Sequence, residues 1–450
     1  MAKDKQREDG VGVCDKKPKK ESPEIPHYDK HDIMPEFVTT PRKELPFGHI
    51  TIRETSRRLA EEVLTSGRIS SGKLVRRFED EFAALIGVRE AVAVSSGTDA
   101  DTLALAALYD TGAERGDEVI VPALSFVATG HAVIHAGFTP VFVDIEPETL
   151  NIDPKRIEAV ITDRTRAIMP VHLMGKPADM DTINDIAARH GLAVIEDAAQ
   201  AHGARYKNRS VGSLGDMAAF SLYVAHVIST GEGGIITTND ESRAAVLRSL
   251  RAHGRACDCR VCQLNLASGY CPDRFQDGRD IRFVTRRLGF SSKMNELEAA
   301  IGLGCLEAYP EILKKRRANL HYVLDRFDRF SPWLTTIREE NHERIGPHAV
   351  PVIVGREAPF SRDELMRHLE QNGIETRTLF EAMPTQCASF GYLGHAPGDF
   401  PVAEYVGENG IHIGVHDGLG IAEMQYFLDV LEKFVADYHG ESNLPENNGR

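Results

Sequence analysis

Thiols are the most concentrated reactive groups in this chain of 450 residues. Four of its seven cysteines, Cys257, Cys259, Cys262 and Cys271, follow one another with the spacing C-x-C-x2-C-x8-C. In a large chain without a secretory signal, closely spaced thiols bind a metal or a metal cluster more often than they form disulfides. The spacing therefore predicts a metal-binding loop over residues 257–271, and it leaves the identity of the metal open.

A second group of polar residues could bind an anion. The segment SSGTD, residues 95–99, directly follows a strand-like run and opens the helical pattern ADTLALAAL. Hydroxyl groups and free backbone amides at the start of a helix favour a phosphate. Ser and Thr are also ordinary helix N-caps, so this segment alone does not decide between the two roles.

Two further residues follow strand-like runs and could contact a flat cofactor. Asp197 ends the run LAVIED, where a carboxylate can pair with a protonated ring nitrogen of the kind found in pyridoxal phosphate. Phe126 follows the run EVIVP and could stack on such a ring. The alternatives are a helix-capping Asp and a core Phe.

The elements that position these residues are short apolar runs separated by helical stretches. Seven runs are rich in β-forming residues: 91–94, 118–122, 140–145, 167–173, 192–197, 218–223 and 233–238. Continuous apolar strands that alternate with helices are typical of a parallel sheet covered on both faces, and such sheets bind ligands at the carboxyl ends of their strands. We therefore expect the functional residues to follow the strands.

Helical periodicity and composition predict the division of the chain. Residues 1–46 are rich in charge and Pro and are expected to form an arm. Residues 47–325 are expected to form a large α/β domain, and residues 326–450 a small α+β domain. Helical patterns dominate from about Thr55 to Gly87, and their spacing places the apolar residues Phe78, Phe82 and Leu85 on one helix face.

Charge and hydrophobicity exclude some classes of protein. The formal net charge is -14, which disfavours a nucleic-acid partner. No apolar run approaches the roughly 18 residues that span a bilayer, and the first residues show no signal peptide, so we expect a cytoplasmic protein without a membrane partner. The charged run 314–317 is most simply a solvated helix face.

Six motifs occur in an order that resembles one known family. They are SSGTDA, PALSFVAT, VHLMGKPADM, EDAAQAHG, FSLY with STGEGG, and LGFSSKMNELEAAIG. In this order they resemble the sugar-nucleotide aminotransferases of the DegT/DnrJ type, which are fold-type I pyridoxal phosphate enzymes. The match runs from about Phe47 to Phe434. The resemblance implies an α/β fold with a mostly parallel central sheet, a small α+β carboxyl-terminal domain, and a homodimer in which two subunits build each active site.

The resemblance also implies a set of cofactor-binding residues. They are Gly97, Thr98, Asp99, Phe126, Asp197, Gln200, Ser221 and Ser291. Thr98, the amide of Asp99 and Ser221 would bind the cofactor phosphate. Ser291 stands where the family usually supplies an Asn from the neighbouring subunit to the same phosphate.

The remaining implied contacts are with the cofactor ring. Phe126 would stack on the ring, Asp197 would hold the pyridine nitrogen, and Gln200 would lie near the ring hydroxyl. Together these contacts imply pyridoxal or pyridoxamine phosphate as the cofactor.

One position departs from the aminotransferase pattern. Five residues before Gly231, those enzymes carry the Lys that forms a Schiff base with the cofactor, and this chain has His226. An imidazole has no primary amine for that bond. Its ordinary pKa of about 6.5 suits proton transfer near neutral pH. His226 is thus a candidate catalytic acid and base, and the alternative is a packed His in a homologue without turnover.

A His at this position resembles the pyridoxamine-phosphate-dependent 3-dehydratases of nucleotide-linked 4-keto-6-deoxy sugars. The resemblance implies that the cofactor amine condenses with the 4-keto group, that His226 removes a proton from the 4′ carbon of the cofactor, and that the hydroxyl at sugar carbon 3 leaves. The implied outcome is deoxygenation of the sugar.

Two kinds of dehydratase fit the resemblance, and the cysteines bear on the choice. One kind is recharged by glutamate, and the other relays electrons from a reductase through a [2Fe-2S] cluster. Cys257, Cys259 and Cys271 lie where the second kind has its closely spaced ligands, while Ala199 occupies the place of its upstream ligand and leaves Cys262 as the replacement. We favour iron-sulfur over a structural Zn, which also accepts thiolates, because an electron relay has a use in this chemistry.

Overall fold

The computed structural model describes residues 44–257, 259–260 and 270–441. Its central feature is a seven-stranded sheet whose strands fall on the seven apolar runs of the sequence. The strands are β1 (Glu90–Val94), β2 (Glu118–Pro122), β3 (Thr139–Val143), β4 (Thr165–Ile168), β5 (Ala193–Asp197), β6 (Met217–Ser221) and β7 (Gly234–Thr238). Side chains on both faces of β1 are buried, as expected for a sheet covered on both sides.

The strand order across this sheet is β1-β7-β6-β5-β4-β2-β3. All pairs from β6 to β3 are parallel. β7 runs antiparallel to both of its neighbours, so the sheet is mixed where the apolar runs alone predicted a parallel one. The reason is local, because the connection 222–233 carries no crossover helix and returns the chain beside β6 in the opposite direction.

Helices cover the sheet and continue to the carboxyl end. They are α1 (Glu54–Ser66), α2 (Lys73–Ile86), α3 (Gly97–Ala106), α4 (Ala128–Ala136), α5 (Pro154–Ile157), α6 (Met180–His190), α7 (Glu241–Leu250), α8 (Glu296–Leu324), α9 (Arg362–Gln371), α10 (Met383–Gln386), α11 (Pro401–Asn409) and α12 (Ile421–Glu441). Asn295 caps α8 through a capping box with Glu298. The Glu296 carboxylate accepts the amides of Gly72, Leu74 and Val75 and so caps α2, which has no capping side chain of its own.

A second, four-stranded sheet follows α8. Its strands are β8 (Leu334–Thr335), β9 (Ala349–Val354), β10 (Thr376–Thr378) and β11 (Gly410–Gly414), in the order β8-β9-β11-β10. All its ladders are antiparallel. Shorter two-residue strands pair elsewhere: Leu124–Ser125 with Glu381–Ala382, Arg205–Tyr206 with Arg209–Ser210 and Glu343–Arg344, and Phe275–Gln276 with Arg279–Asp280.

Two helix faces differ in part from the sequence-based expectation. Phe78 and Phe82 of the predicted apolar face are fully buried, but Leu85 is exposed, and Val75 and Ile86 complete the buried face of α2. In the charged run 314–317, Arg316 is fully buried. A run of four consecutive residues spans more than one turn of a helix, so one of its members faces inward however polar the run is.

The predicted division at residue 325 falls just after the end of α8 at Leu324, and it stays a prediction. Within the described ranges, none of the helices combines the length and the apolar character needed to cross a bilayer. Residues 1–43 of the predicted arm, which include Cys14, lie outside the described residues. Cys262 of the predicted metal-binding loop lies outside them as well.

Candidate active site

The carboxyl ends of β1, β2, β5 and β6 open into one cavity of about 580 Å³, here called the active-site cavity. The second sheet closes its other side with Arg377 and Thr378 of β10 and His412 of β11. The predicted site residues that line it are Gly97, Thr98, Phe126, Asp197, Gln200, Ser221 and His226. We expected the functional side chains to follow the strands, and the cavity lies at the carboxyl ends of four of them.

The first turn of α3 forms the anion-binding end of the cavity. Ser96 is the N-cap, and its Oγ accepts a hydrogen bond from the amide of Asp99 at 3.0 Å. The Asp99 carboxylate accepts hydrogen bonds from Ser95 and Ser96, so its side chain does not line the cavity. The capping and anion-binding roles thus share one segment, in which Ser96 and Thr98 both line the cavity.

Gly97 brings α3 close to the end of β6. A Cβ atom at position 97 would lie 2.7 Å from the Cβ of Ser221, which is closer than real Cβ contacts allow. Only Gly therefore lets Ser221 lie beside the start of α3, where the hydroxyls of Ser221 and Thr98 can reach one phosphate.

Asp197 is a buried carboxylate in the cavity wall. Thr129 Oγ1 donates to its Oδ2 at 2.7 Å, and the amide of Ala199 donates to its Oδ1 at 3.1 Å. Burial raises the pKa of this carboxyl. Among the described residues no Lys or Arg forms an ion pair with it, so a protonated ring nitrogen would supply the opposite charge that the site calls for.

Asp101 is a second buried carboxyl at the cavity, and the sequence analysis missed it. Burial, with a smaller contribution from the charge of Asp197, raises its pKa well above the usual range. Its Oδ1 has no hydrogen-bond partner in the described part of the chain. Burial thus favours the neutral form of Asp101. The available signal was an acidic residue inside the otherwise apolar helix pattern ADTLALAAL.

His226 lies in the connection between β6 and β7, where its amide donates to Tyr223 O at 2.9 Å. Arg316 donates to the carbonyl oxygen of His226 at 3.3 Å. Burial, and after it His202 and Arg316, lower the pKa of His226 to about 3. The ring is therefore neutral at physiological pH and has a lone pair with which to accept a proton.

Three further cavity residues come from the second sheet and its approaches, and no local motif predicted them. The His348 ring centroid lies 5.1 Å from that of His226. His412 is buried beside Phe47, and the Arg377 guanidinium stands 3.9 Å from the Phe47 ring centroid. Arg377 contributes a positive charge to the cavity wall.

The predicted ring contacts also lie in the cavity wall. Phe126 is 55% exposed, which excludes the core alternative, and its ring is 5.7 Å from that of Phe380. Gln200 Oε1 accepts the amide of Met174 at 2.8 Å, which fixes the side chain and leaves its amino group as the donor. Both residues can contact a planar ligand.

Ser291 is outside the cavity lining. It is exposed and pairs with Ala252 through a backbone bridge. Its predicted role is toward the active site of a neighbouring subunit, and that role stays a prediction.

The cysteine loop is separate from the active-site cavity. Cys257 Sγ and Cys259 Sγ are 3.4 Å apart, and both line a smaller cavity of about 210 Å³. Burial, followed by the neighbouring Cys257 and Cys271, raises the pKa of the Cys259 thiol to about 12. Cys262 lies outside the described residues, and among those described no group of three His, Cys, Asp or Glu side chains is arranged to hold a metal ion.

These features together fit a pyridoxal or pyridoxamine phosphate. The cavity has a helix start with hydroxyls for the phosphate, an exposed aromatic ring for stacking, and a buried carboxylate that calls for a cation. The thiol pair fits two ligands of one metal site, and the donor set that the described residues show there is smaller than a cluster requires.

Known proteins resemble this chain in both sequence and fold. The profile of the DegT/DnrJ/EryC1/StrS aminotransferase family matches residues 50–432. Over 367 residues the chain is 38% identical to GDP-perosamine synthase of Caulobacter vibrioides, covering 81% of this chain and 91% of that protein. Over 428 residues it is 32% identical to dTDP-4-dehydro-2,6-dideoxy-D-glucose 3-dehydratase of Saccharopolyspora spinosa, covering 91% and 90%.

A solved structure completes the comparison. E. coli GDP-4-keto-6-deoxy-D-mannose-3-dehydratase with bound hydrated PLP superposes with a TM-score of 0.74 at 30% identity, covering 86% of this chain and 99% of that one. The prediction of a fold-type I architecture is thereby confirmed. The chain is an enzyme of the pyridoxal phosphate class and belongs to the DegT/DnrJ/EryC1/StrS aminotransferase family.

Proposed function

We propose that this enzyme is a pyridoxamine-phosphate-dependent dehydratase that removes the carbon-3 hydroxyl of a nucleotide-linked 4-keto-6-deoxy sugar. One observation carries the proposal: His226 stands in the wall of the active-site cavity, and no lysine of the described residues lines that cavity. Covalent capture of the cofactor aldehyde needs a primary amine, so ordinary transamination lacks its nucleophile here. The dehydratase names of two similar proteins support the same choice.

Each polar residue then has a defined task. When bound, the cofactor supplies an amine for the sugar ketone and a ring that withdraws electrons. Asp197 holds the proton of the ring nitrogen, while Thr98 and Ser221 bind the phosphate. His226 accepts a proton from the 4′ carbon and returns it to the oxygen that leaves as water.

The substrate class follows from the charge and size of the cavity. Its volume of about 580 Å³ exceeds what the cofactor's ring and phosphate fill, and Arg377 contributes a positive charge to its wall. A nucleotide diphosphate linked to the sugar offers the matching negative charge. Both dehydratases named above carry nucleotide-linked sugars in their names.

The test uses borohydride, which reduces a bond between the cofactor aldehyde and an amine and so makes the attachment permanent. We expect the PLP-treated wild-type protein to gain no more mass on reduction than His226→Asn does, while His226→Lys gains one additional phosphopyridoxyl group. A stoichiometric mass gain in the wild-type protein but not in His226→Asn would contradict the proposal.

The cysteine loop supports a second, separable proposal, that it holds an iron-sulfur cluster that relays electrons from a reductase. Its support is the 3.4 Å separation of the Cys257 and Cys259 sulfurs, with Cys271 as a further thiol of the same loop. We expect anaerobically purified protein to contain iron and acid-labile sulfide, and Cys257→Ser to lose both. Stoichiometric zinc without iron would contradict the electron relay and indicate a structural role for the loop.

The second candidate is a dehydratase recharged by glutamate, with a structural cysteine loop. A related solved structure of GDP-4-keto-6-deoxymannose-3-dehydratase holds a trapped PLP-glutamate geminal diamine, and Arg377 could pair with a glutamate carboxylate. An absorbance assay for the conversion of PLP to PMP by glutamate distinguishes the two kinds of dehydratase. Only the glutamate-recharged enzyme is expected to convert the cofactor. A homologue without catalysis would fail to bind either form of the cofactor.

A further inference from the structure

A second, much smaller cavity also has His226 in its lining. Its volume is about 20 Å³, and His226, Arg53, Arg316 and Asp417 are among the residues that line it. We call it the rear cavity. His226 also lines the active-site cavity, so this residue borders both spaces.

Polar side chains share the lining of the rear cavity with apolar ones, and three of their buried nitrogens are not satisfied by one another. His226 Nδ1, Arg316 Nε and Arg53 Nε are all buried and lack a hydrogen-bond partner among the described residues. Buried nitrogens of this kind cost free energy unless they find a partner. All three belong to side chains around one space.

Distances around Asp417 indicate what occupies that space. Its carboxylate lies 3.7 Å from Arg316 Nε and 3.8 Å from an Arg53 terminal nitrogen. Both are too long for direct hydrogen bonds, and a water beside a polar contact longer than about 3.5 Å can bridge the two groups. A volume of about 20 Å³ holds one water, for which about 10–15 Å³ is the lower limit, and this one has enough polar partners.

We propose that one ordered water in the rear cavity joins His226 Nδ1 to Asp417, and that Asp417 and Arg316 are positioning residues for His226. The water accepts hydrogen bonds from His226 Nδ1–H and Arg316 Nε–H and donates to the Asp417 carboxylate. A proton fixed on Nδ1 leaves the lone pair on Nε2, the nitrogen that remains for exchange with the active-site cavity. The inference rests on the proposed acid-base role of His226.

Arg316 adds a second restraint on the same residue. Its guanidinium donates to the carbonyl oxygens of His226 at 3.3 Å and Pro347 at 3.5 Å. These bonds hold the backbone at His226 and at the residue before His348, and so they fix the two facing rings relative to each other. Because Arg316 is fully buried, it acts through His226 and touches no ligand in the active-site cavity.

The test reads the tautomer of His226 directly and needs no catalysis. In ¹⁵N-histidine NMR spectra of the cofactor-free protein at neutral pH, with the His226 signals assigned by their loss in His226→Asn, we expect the Nδ1–H form. Asp417→Asn should shift the ring toward Nε2–H and lower kcat about 10–100-fold with little change in KM. Asp399→Asn, an exposed carboxylate elsewhere, is the matched control and should change neither.

Contradicting results are equally direct. An Nε2–H form in the wild-type protein, or a tautomer unchanged in a folded Asp417→Asn, would overturn the proposal. A crystal structure of the wild-type protein provides a readout independent of any variant, because it should show one water within hydrogen-bond distance of Nδ1 and Asp417, and a dry rear cavity would refute it. An Nδ1–H tautomer in a protein that shows no dehydratase activity would leave this inference standing and remove the proposed function instead.

Discussion

At the scale of single residues, burial sets the charge of the histidines around the active site. His202, His348 and His412 are buried, and burial is the main cause that lowers the pKa of each, to about 4 for His202 and about 3 for His412. Arg316 and Arg377 add repulsion against a proton on these rings. The enzyme thus keeps a set of neutral imidazoles beside His226, where a positively charged imidazole would repel a proton on the His226 ring.

Those lowered pKa values predict a loss of stability in acid. Each His has an ordinary pKa of about 6.5 when unfolded, so the unfolded state binds more protons below that pH. The stabilisation is complete above pH 6.5 and is lost as the pH falls toward the folded pKa, at about 1.4 kcal/mol per pH unit for each group. We expect urea unfolding to show a lower free energy of unfolding at pH 5 than at pH 7.

The variant His202→Gln isolates one of these groups. Gln keeps a donor for the Ser221 carbonyl, which His202 Nε2 contacts at 2.9 Å, but it does not titrate. The pH dependence should therefore be shallower in the variant by the share of one His. The same pH dependence in His202→Gln and in the wild-type protein would be incompatible with a buried neutral His202.

At the scale of elements, the active site depends on how closely α3 approaches β6. Gly97 permits that approach, because any Cβ there would overlap Ser221. The end of β5 carries two neighbouring carboxylates that have different roles. Asp197 faces the cavity, while the adjacent Glu196 points to the other face of β5 and accepts the amides of Gly212 and Leu214.

We therefore expect Gly97→Ala to destabilise the protein by about 1–3 kcal/mol, as overpacking does, and to weaken cofactor binding. Chemical denaturation and a titration with pyridoxamine phosphate measure the two effects. Gly391→Ala is the matched control, since a Cβ at that position meets no atom within 4 Å and its φ is not positive. Unchanged cofactor affinity in Gly97→Ala would mean that Ser221 is not part of the phosphate site.

The elements themselves could largely be predicted, because each strand is a continuous apolar run and α3 has a polar N-cap segment. The reversed direction of β7 could not, since it depends on the short connection 222–233 and not on the composition of the strand. Residues next to strand ends, such as Asp197 and Phe126, were predicted for the cavity. Arg316 was assigned to a solvated face because charge alone does not show which side of a helix faces inward.

At the scale of the whole molecule, the active-site cavity joins residues more than 300 positions apart. Thr98 begins one wall, and His412 belongs to the other. His348 and Arg377 enter through the second sheet, whose packing against the first depends on long-range contacts that no local periodicity encodes. The predicted homodimer, the role of Ser291 within it and the reductase partner also belong to this scale, and they stay predictions.

The central claim is that this fold performs elimination instead of amination. The most direct measurement incubates the protein, loaded with pyridoxamine phosphate, with a nucleotide-linked 4-keto-6-deoxyhexose that carries ¹⁸O at carbon 3, and follows the products by mass spectrometry. The account predicts that the wild-type protein releases the label as water and that His226→Asn slows this release about 10²–10⁴-fold. Formation of a 4-amino sugar that retains the label, in the presence of glutamate and at the rate of turnover, would contradict it.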